Sequence, residues 1–223
     1  MATLGAFFDA NVLYPSGLRN FLMHLALTGI FRAHWSAEVH DEWIRNLLKN
    51  QPDLSRDKLE RTRHLMDKAI PDALVTGYEH LIDAIELPDR NDRHVLAAAI
   101  RSGASVIVTL NLADFPGHAL RNFRIEAQHP DDFVLALLET FPDLVLEAAR
   151  IRFEYGGVGQ RGKKPAGRLQ ILSVPWRCIR FWLSIWRIGA RSRFTRVTPI
   201  GSFHPTAARG RFHVQLPCAE RPT

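Results

Sequence analysis

The chain has 223 residues and a hydrophobic fraction of 46%, which is ordinary for a globular protein with a sizeable core. Its two cysteines, Cys178 and Cys218, have no CxxC spacing, which excludes a disulfide framework and a thiolate zinc site and suits a reducing cytoplasm. The net charge of +6 hides two unlike regions: residues 1–150 carry 15 Lys and Arg against 21 Asp and Glu, whereas residues 151–223 carry 14 against 2.

No apolar segment of the sequence suggests a signal peptide or a membrane span. The chain does not open with a basic stretch, an apolar run and a small-residue cleavage site, so we expect no signal peptide. No uncharged apolar stretch approaches the roughly 20 residues that span a bilayer. We therefore expect a cytoplasmic protein without a membrane partner.

Predicted strands alternate with predicted helices along residues 1–150, which favours an α/β fold with a parallel sheet covered on both sides. "LGAFF" is a buried strand, a helix with apolar residues from Leu18 to Ala26 ends at Gly29, and "IFRAHW" is strand-like. Ser36 caps a helix from Ala37 to Lys49, and a charged helix runs from about Ser55 to Ile70. There follow a strand "ALVTGY", a helix "RHVLAAAIRS" ended by Gly103, a central parallel strand "SVIVTL", a shorter strand "FRIEA" and a helix from Pro130 to Arg150.

Acidic residues stand where these elements meet one edge of the predicted sheet. Asp9 ends the first strand, Asp114 lies just past "SVIVTL", and Asp92 opens the helix before that strand. Because the carboxyl ends of parallel strands meet at one edge, these acids are expected to lie together. A further carboxylate would come from the helix after Ser36, where periodicity leaves Glu38, Asp41 and Glu42 open.

Each of these acids taken singly can have a purely structural role, whereas the four together indicate metal binding. An Asp after a strand is often a turn residue, and Asp92 alone could simply cap its helix. Four acids on one rim repel one another unless a cation neutralises them, and oxygen ligands suit Mg²⁺ or Mn²⁺. An ion of this kind favours phosphodiester hydrolysis, since it lowers the pKa of a bound water and screens developing charge.

Three segments, "FFDANVLYP", "WSAEVHDEWIRNL" and "DRNDRHVLAAAIRSGASVIVTLNLADFP", resemble the PIN-domain ribonucleases in order and spacing, and the branch of VapC-type toxins in particular. The resemblance covers residues 4 to about 150 and implies a three-layer α/β/α sandwich that cleaves RNA with Mg²⁺ or Mn²⁺. It implies Asp9, Glu42, Asp92 and Asp114 as catalytic metal ligands, oriented by Asn11, Thr109 and Asn111. Many members have an Asp where this chain has Asn111. The chain departs from the pattern at this position, and Asp114 is the acid implied as the fourth ligand.

The resemblance also implies partners: RNA as substrate, a cognate antitoxin, and a homodimer as a further arrangement. No histidine is needed as a base, and His94 is expected on a helix surface, turned away from Asp92. Rival enzymes fit less well, because aspartyl-phosphate phosphatases want a second Asp where Asn11 stands and receiver domains want a Lys after "SVIVTL". The remaining alternative is a catalytically impaired PIN-like protein that binds RNA or a protein partner.

Residues 151–223 form a basic tail with a different character from the nuclease-like domain predicted over residues 1–150. A breaker-rich linker precedes "WRCIRFWLSIWRIGARSRF", in which Arg and Trp could contact phosphates and stack on bases. A membrane-surface or antitoxin-docking segment is another interpretation. The near loss of acids after Glu154 favours the hypothesis that residues from about 155 are not an evolved domain but a shifted reading frame or a degraded, poorly ordered end.

Overall fold

Five parallel strands form the centre of the protein in a computed structural model that describes residues 3–155. The tail predicted over residues 151–223 lies outside the described residues, apart from residues 151–155, whose backbone belongs to the last helix. The strands are β1 Gly5–Phe8, β2 Arg32–Ser36, β3 Leu74–Val75, β4 Val106–Val108 and β5 Glu126–Gln128.

Helices connect these strands and cover the sheet. They are α1 Ala10–Leu13, α2 Ser16–Leu27, α3 Ala37–Asn50, α4 Arg56–Ala69, α5 Arg93–Ser102, α6 Gly117–Leu120, α7 Pro130–Thr140 and α8 Pro142–Tyr155. Short 3-10 turns occupy Pro71–Ala73, Glu79–Ala84, Arg90–Asp92, Leu112–Asp114 and Arg121–Phe123. Within residues 3–155, none of the helices combines the length and apolar character that crossing a bilayer requires.

The strand order β3-β2-β1-β4-β5 places β1 in the middle of the sheet, between β2 and β4. Ala6, Phe7 and Phe8 of β1 are completely buried, because a central parallel strand is covered on both faces. Phe8 packs edge-to-face against Phe31 and against Phe133 of α7, while α5 packs on β1 and β2. The predicted α/β class with a parallel central sheet flanked by helices, of the PIN-like sandwich type, is confirmed.

Helix boundaries follow local signals that the sequence carries. The Ser36 hydroxyl accepts a hydrogen bond from the Val39 amide at 3.2 Å and so caps α3 as predicted. Gly103 ends α5 in the left-handed region at a φ of 68°, where a side chain would be strained. The charged helix after Ser55 and the helix ending near Gly29 are also present.

Other boundaries differ from those predicted, each for a local reason. One helix was expected from Pro130 to Arg150, but α7 ends at Thr140 and α8 begins at Pro142, whose ring cannot continue the preceding helix. "FRIEA" begins as a 3-10 turn, and Arg124 takes a positive φ of 57°, so β5 starts only at Glu126. "ALVTGY" contributes only the two residues of β3, and α1 was not predicted.

Candidate functional site

Asp9 stands at the C-terminal end of β1, where the chain turns directly into α1. Its residue surface is only 4% exposed, and its Oδ1 accepts a hydrogen bond from the Ala10 amide at 2.6 Å. Its Oδ2 accepts hydrogen bonds from Asn11 Nδ2 at 2.6 Å and from Thr109 Oγ1 at 2.7 Å. Both oxygens therefore have donors, which is how the fold tolerates a carboxyl group at the buried end of its central strand.

Asn11 and Thr109 join the ends of the neighbouring strands β1 and β4. Asn11 Nδ2 also donates to Thr109 Oγ1 at 2.9 Å, and the Leu110 amide donates to Asn11 Oδ1 at 2.9 Å. The Asn111 amide donates to Thr109 Oγ1 at 3.0 Å. An amide at position 11 can donate to Asp9, whereas a second carboxylate there would meet the Asp9 oxygen at contact distance and repel it.

Asp92 and Asp114 meet above this pair of strand ends. Asp92 ends the 3-10 turn before α5 and makes no side-chain capping bond to that helix, so its simple explanation as a cap does not hold. Its carboxyl group instead hydrogen-bonds with that of Asp114, which follows β4. Asp114 also accepts a hydrogen bond from Asn111 Nδ2.

The pKa values of two of these acids show how closely the cluster is packed. Burial, which is the larger cause, and the charges of Asp9 and Asp114 raise the pKa of Asp92 to about 7. Burial raises the pKa of Asp9 to about 6, assisted by the charge of Glu42 and opposed by the Thr109 hydrogen bond. Near neutral pH the cluster therefore holds a proton that a cation could replace.

The three acids of α3 have different surroundings, which periodicity alone could not distinguish. Asp41 is 62% exposed at its side chain and pairs with Arg63 of α4 at 2.8 Å. Glu38 is 55% exposed and accepts a hydrogen bond from the Tyr78 hydroxyl at 3.4 Å. Glu42 is 31% exposed, and it is the one whose charge raises the pKa of Asp9.

His94 is buried, so the expectation that it lies on a helix surface is wrong. Only 7% of the residue is exposed, and its ring lies between Glu38 and Glu42 of α3. Nδ1 is 3.6 Å from Glu38 Oε2, and Nε2 is 3.7 Å from Glu42 Oε2. These distances exceed those of hydrogen bonds. The burial of His94 was not predicted, because every residue of α5 from His94 to Ala99 is buried and the sequence of this helix shows no amphipathic pattern that would indicate it.

The acids suit a hard divalent cation by their chemistry. Their donors are all carboxylate oxygens, which are ligands that Mg²⁺ and Mn²⁺ prefer. Burial first, and then the neighbouring negative charges, raise the pKa values of Asp9 and Asp92. Within residues 3–155, no three His, Cys, Asp or Glu side chains are placed as a complete set of metal ligands. Asp92 would have to exchange its hydrogen bond with Asp114 for the ion.

Similarity to known proteins agrees with this arrangement. Residues 6–113 match the family model described as the PIN domain, a segment that includes Asp9, Glu42 and Asp92 and stops one residue before Asp114. The chain is also 49% identical over 71 residues to a protein named "Putative ribonuclease VapC50" from Mycobacterium tuberculosis. That match covers 32% of this chain and spans 41% of the relative's length. No solved structure gives a significant match.

The family match covers the centre of the fold. The matched segment begins in β1, ends in the 3-10 turn after β4, and contains the three strands at the centre of the sheet. Residues 6–113 of the chain, which supply Asp9, Glu42 and Asp92 of the acidic cluster at one edge of the parallel sheet, belong to the PIN-domain family.

Proposed function

We propose that this protein is a metal-dependent endoribonuclease that hydrolyses RNA phosphodiester bonds. The observation that carries the proposal is the cluster of Asp9, Glu42, Asp92 and Asp114, drawn from four segments to one edge of the sheet. The PIN-domain match and the name of the VapC50 relative support ribonuclease chemistry for such a cluster. Mg²⁺ or Mn²⁺ is the proposed cofactor, because both bind carboxylate oxygen.

The proposed roles follow from the surroundings of each acid. Asp9, Glu42, Asp92 and Asp114 would hold the ion, which when bound supplies neutralisation of phosphate charge and acidification of water. Asn11 and Thr109 keep the Asp9 carboxylate in one orientation through the hydrogen bonds at its Oδ2. Asn111 does the same for Asp114. A fixed orientation matters because reacting groups displaced by even about 1 Å lose much of their effect.

The decisive experiment is an RNase assay on a fluorescent single-stranded RNA, with Mg²⁺, with Mn²⁺ and with EDTA. We expect cleavage only with a divalent ion, and a loss of at least about a hundredfold in Asp9→Asn and in Asp92→Asn, as for other charge-stabilising groups of active sites. Asp41→Asn is the matched control, because Asp41 is an exposed neighbour of Glu42 that pairs with Arg63.

The α3 acids allow a sharper comparison. Glu42→Gln should lose cleavage and Glu38→Gln should retain most of it, although both carboxylates face His94. Unchanged cleavage in Asp9→Asn and Asp92→Asn would remove the proposed mechanism. RNA binding without cleavage in the wild-type protein would favour the alternative of an impaired, binding-only PIN protein.

We propose further that the protein is the toxin of a toxin–antitoxin pair, acting on cytoplasmic RNA. The name of the VapC50 relative is the support for this role. A toxin of this kind has a cognate antitoxin, so a small open reading frame beside the gene should encode a protein that co-purifies with it. Induction should arrest growth of the host and co-expression of that neighbour should relieve the arrest; growth unaffected by induction of a cleavage-competent protein would contradict the toxin role. Sedimentation at several concentrations would test the homodimer.

A further inference from the structure

A cleft of about 810 Å³ opens beside the acidic cluster. Its lining includes Glu42 of the cluster, Asn11, which donates to Asp9, and Arg19 of α2. The cleft is thus continuous with the place where the scissile phosphate of an RNA would be held under the proposed function.

Arg19 is an unusual residue to find in such a wall. It is only 6% exposed, and no Asp or Glu in the described part of the chain forms an ion pair with it. Its Nη1 donates to the Leu13 carbonyl at 2.6 Å and to the Tyr14 carbonyl at 3.4 Å, and its Cζ lies 4.6 Å from the centre of the Trp43 ring. Its Nε has no hydrogen-bond partner within residues 3–155. A buried cation without a counter-ion is costly unless an anion joins it.

A second positive feature faces the same cleft. Helix α2 begins at Ser16 after Pro15, which cannot cap it with a side chain, and both Ser16 and Gly17 line the cleft. The N-terminal end of a helix of twelve residues carries partial positive charge and favours phosphate. The guanidinium group and the helix end therefore favour the same type of ligand.

Neutral polar groups complete the wall. Asn46 and Asn50 line the cleft, and Asn50 Nδ2 donates to the Tyr14 hydroxyl at 3.2 Å. Amide and hydroxyl groups of this kind recognise bases and ribose, and an aromatic ring offers a stacking surface. A purely anionic ligand would not need them, whereas a nucleotide uses both the positive and the neutral groups.

We propose that Arg19 and the N-terminal end of α2 bind a backbone phosphate of single-stranded RNA next to the phosphate held at the acidic cluster. The inference rests on the proposed function for its substrate, and it adds a binding residue outside the acids. The Leu13 and Tyr14 carbonyls and the Trp43 ring hold the guanidinium group of Arg19 at the cleft, but none of them supplies the negative charge of a counter-ion.

The test measures RNA binding rather than cleavage. Fluorescence anisotropy of a short labelled single-stranded RNA is recorded with full-length Asp92→Asn protein and Mg²⁺ over a series of salt concentrations. Adding Arg19→Met should weaken binding about tenfold and reduce the slope of log affinity against log salt by about 0.7, the value for one phosphate contact on a single strand. Arg61→Met, which removes an exposed arginine of α4 outside the cleft wall, is the matched control and should change neither.

A second pair of variants covers the case in which Arg19→Met does not fold. Asn46→Asp places a carboxylate in the cleft wall, where it competes with phosphate for Arg19 and should weaken RNA binding about tenfold. Asn20→Asp makes the same charge change at an exposed position of α2 outside the wall and should have a much smaller effect.

The outcomes separate this proposal from the proposed function. A folded Arg19→Met protein with unchanged affinity and salt slope overturns it, as do equal effects of Asn46→Asp and Asn20→Asp. If the predicted slope change is found but wild-type protein never cleaves RNA, the nuclease proposal fails and the phosphate subsite stands. If the wild-type protein cleaves RNA but Arg19→Met leaves the salt slope unchanged, the nuclease proposal stands and the phosphate subsite is overturned.

Discussion

Single hydrogen bonds at the end of β1 determine whether a carboxyl group can be buried there. Asn11 makes three of them: Nδ2 donates to Asp9 and to Thr109, and Oδ1 accepts from the Leu110 amide, so that the last two connect this position to the end of β4. We expect Asn11→Ala to lower the free energy of unfolding by about 1–3 kcal/mol, because the buried Asp9 and the Leu110 amide lose partners. Urea unfolding followed by circular dichroism measures this. Asn20→Ala, on the exposed face of α2, serves as control, and equal effects of the two variants would contradict the prediction.

The raised pKa values of Asp9 and Asp92 predict how stability depends on pH. Each carboxyl binds its proton more tightly in the folded chain than in the unfolded chain, whose ordinary value is 3.8. Their contribution to stability is therefore fully present below about pH 4 and is lost as pH rises through about 6 and 7. The buried His34 and His40, whose pKa values are lowered by burial, act in the opposite direction as pH rises.

A difference measurement isolates Asp92 from the histidines. In EDTA, Asp92→Asn and wild type should melt together near pH 5, whereas at pH 8 the variant should melt about 2–4 °C higher, since it carries no repelling charge. Added Mg²⁺ should narrow the gap by stabilising wild type. The control is Asp83→Asn, an exposed acid. A variant that melts lower than wild type at pH 8 in EDTA would refute this explanation.

Sequence reasoning recovers residues that follow a strand or open a helix, because the topology of a parallel sheet brings such positions together. It identified Asp9, Asp92 and Asp114 as neighbours for that reason. It missed the burial of His94 and the isolation of Arg19, since both depend on which helices cover a position in three dimensions. Spacing within one helix contains no information about its neighbours.

At the scale of elements, a buried polar chain ties α4 to β2 and α3. Asp67 Oδ1 of α4 accepts from Trp35 Nε1 at 2.8 Å and pairs with His40 Nε2 at 3.1 Å. Trp43 Nε1 donates to His40 Nδ1 at 2.9 Å, so His40 Nε2 carries the proton and donates to Asp67. Helix α4 is mostly charged and buries only Leu59 and Met66, which makes this bond a large part of its attachment.

A pair of substitutions at Asp67 tests that attachment. Asp67→Asn keeps an acceptor oxygen and should cost little, whereas Asp67→Leu leaves the Trp35 and His40 donors without their partner and should cost about 1–3 kcal/mol. Guanidinium unfolding followed by circular dichroism would show the difference. If both substitutions have the same effect, the hydrogen bonds to Asp67 do not attach α4.

Helices and central strands were predictable because caps and apolar runs are local signals. Ser36 and Gly103 mark their helix ends by chemistry that needs no tertiary contact. The edge strands were harder, since Leu74–Val75 and Glu126–Gln128 are too short for alternation to register. The split between α7 and α8 was signalled by Pro142, and apolar residues on both sides of it obscured that signal.

For the whole molecule, the buried core identified within residues 3–155 includes side chains from β1, β2, β3 and β4, and Ala127 of β5 packs against it. A chain ending after Tyr155 should therefore keep its circular dichroism spectrum and its unfolding free energy within about 1 kcal/mol, as a domain with its own core would. Because the removed residues 156–223 carry 13 Lys and Arg against one acid, RNA affinity should fall and depend less on salt. An unfolded truncated chain would contradict the domain boundary predicted near residue 150.

The wide separation of the four acids along the chain has a consequence during protein synthesis. The segment with Asp9 leaves the ribosome first and the one with Asp114 much later, after β4 has been made. A nascent polypeptide shorter than this possesses no assembled centre, so under the proposed function the protein would leave its own messenger intact while most of it is being translated.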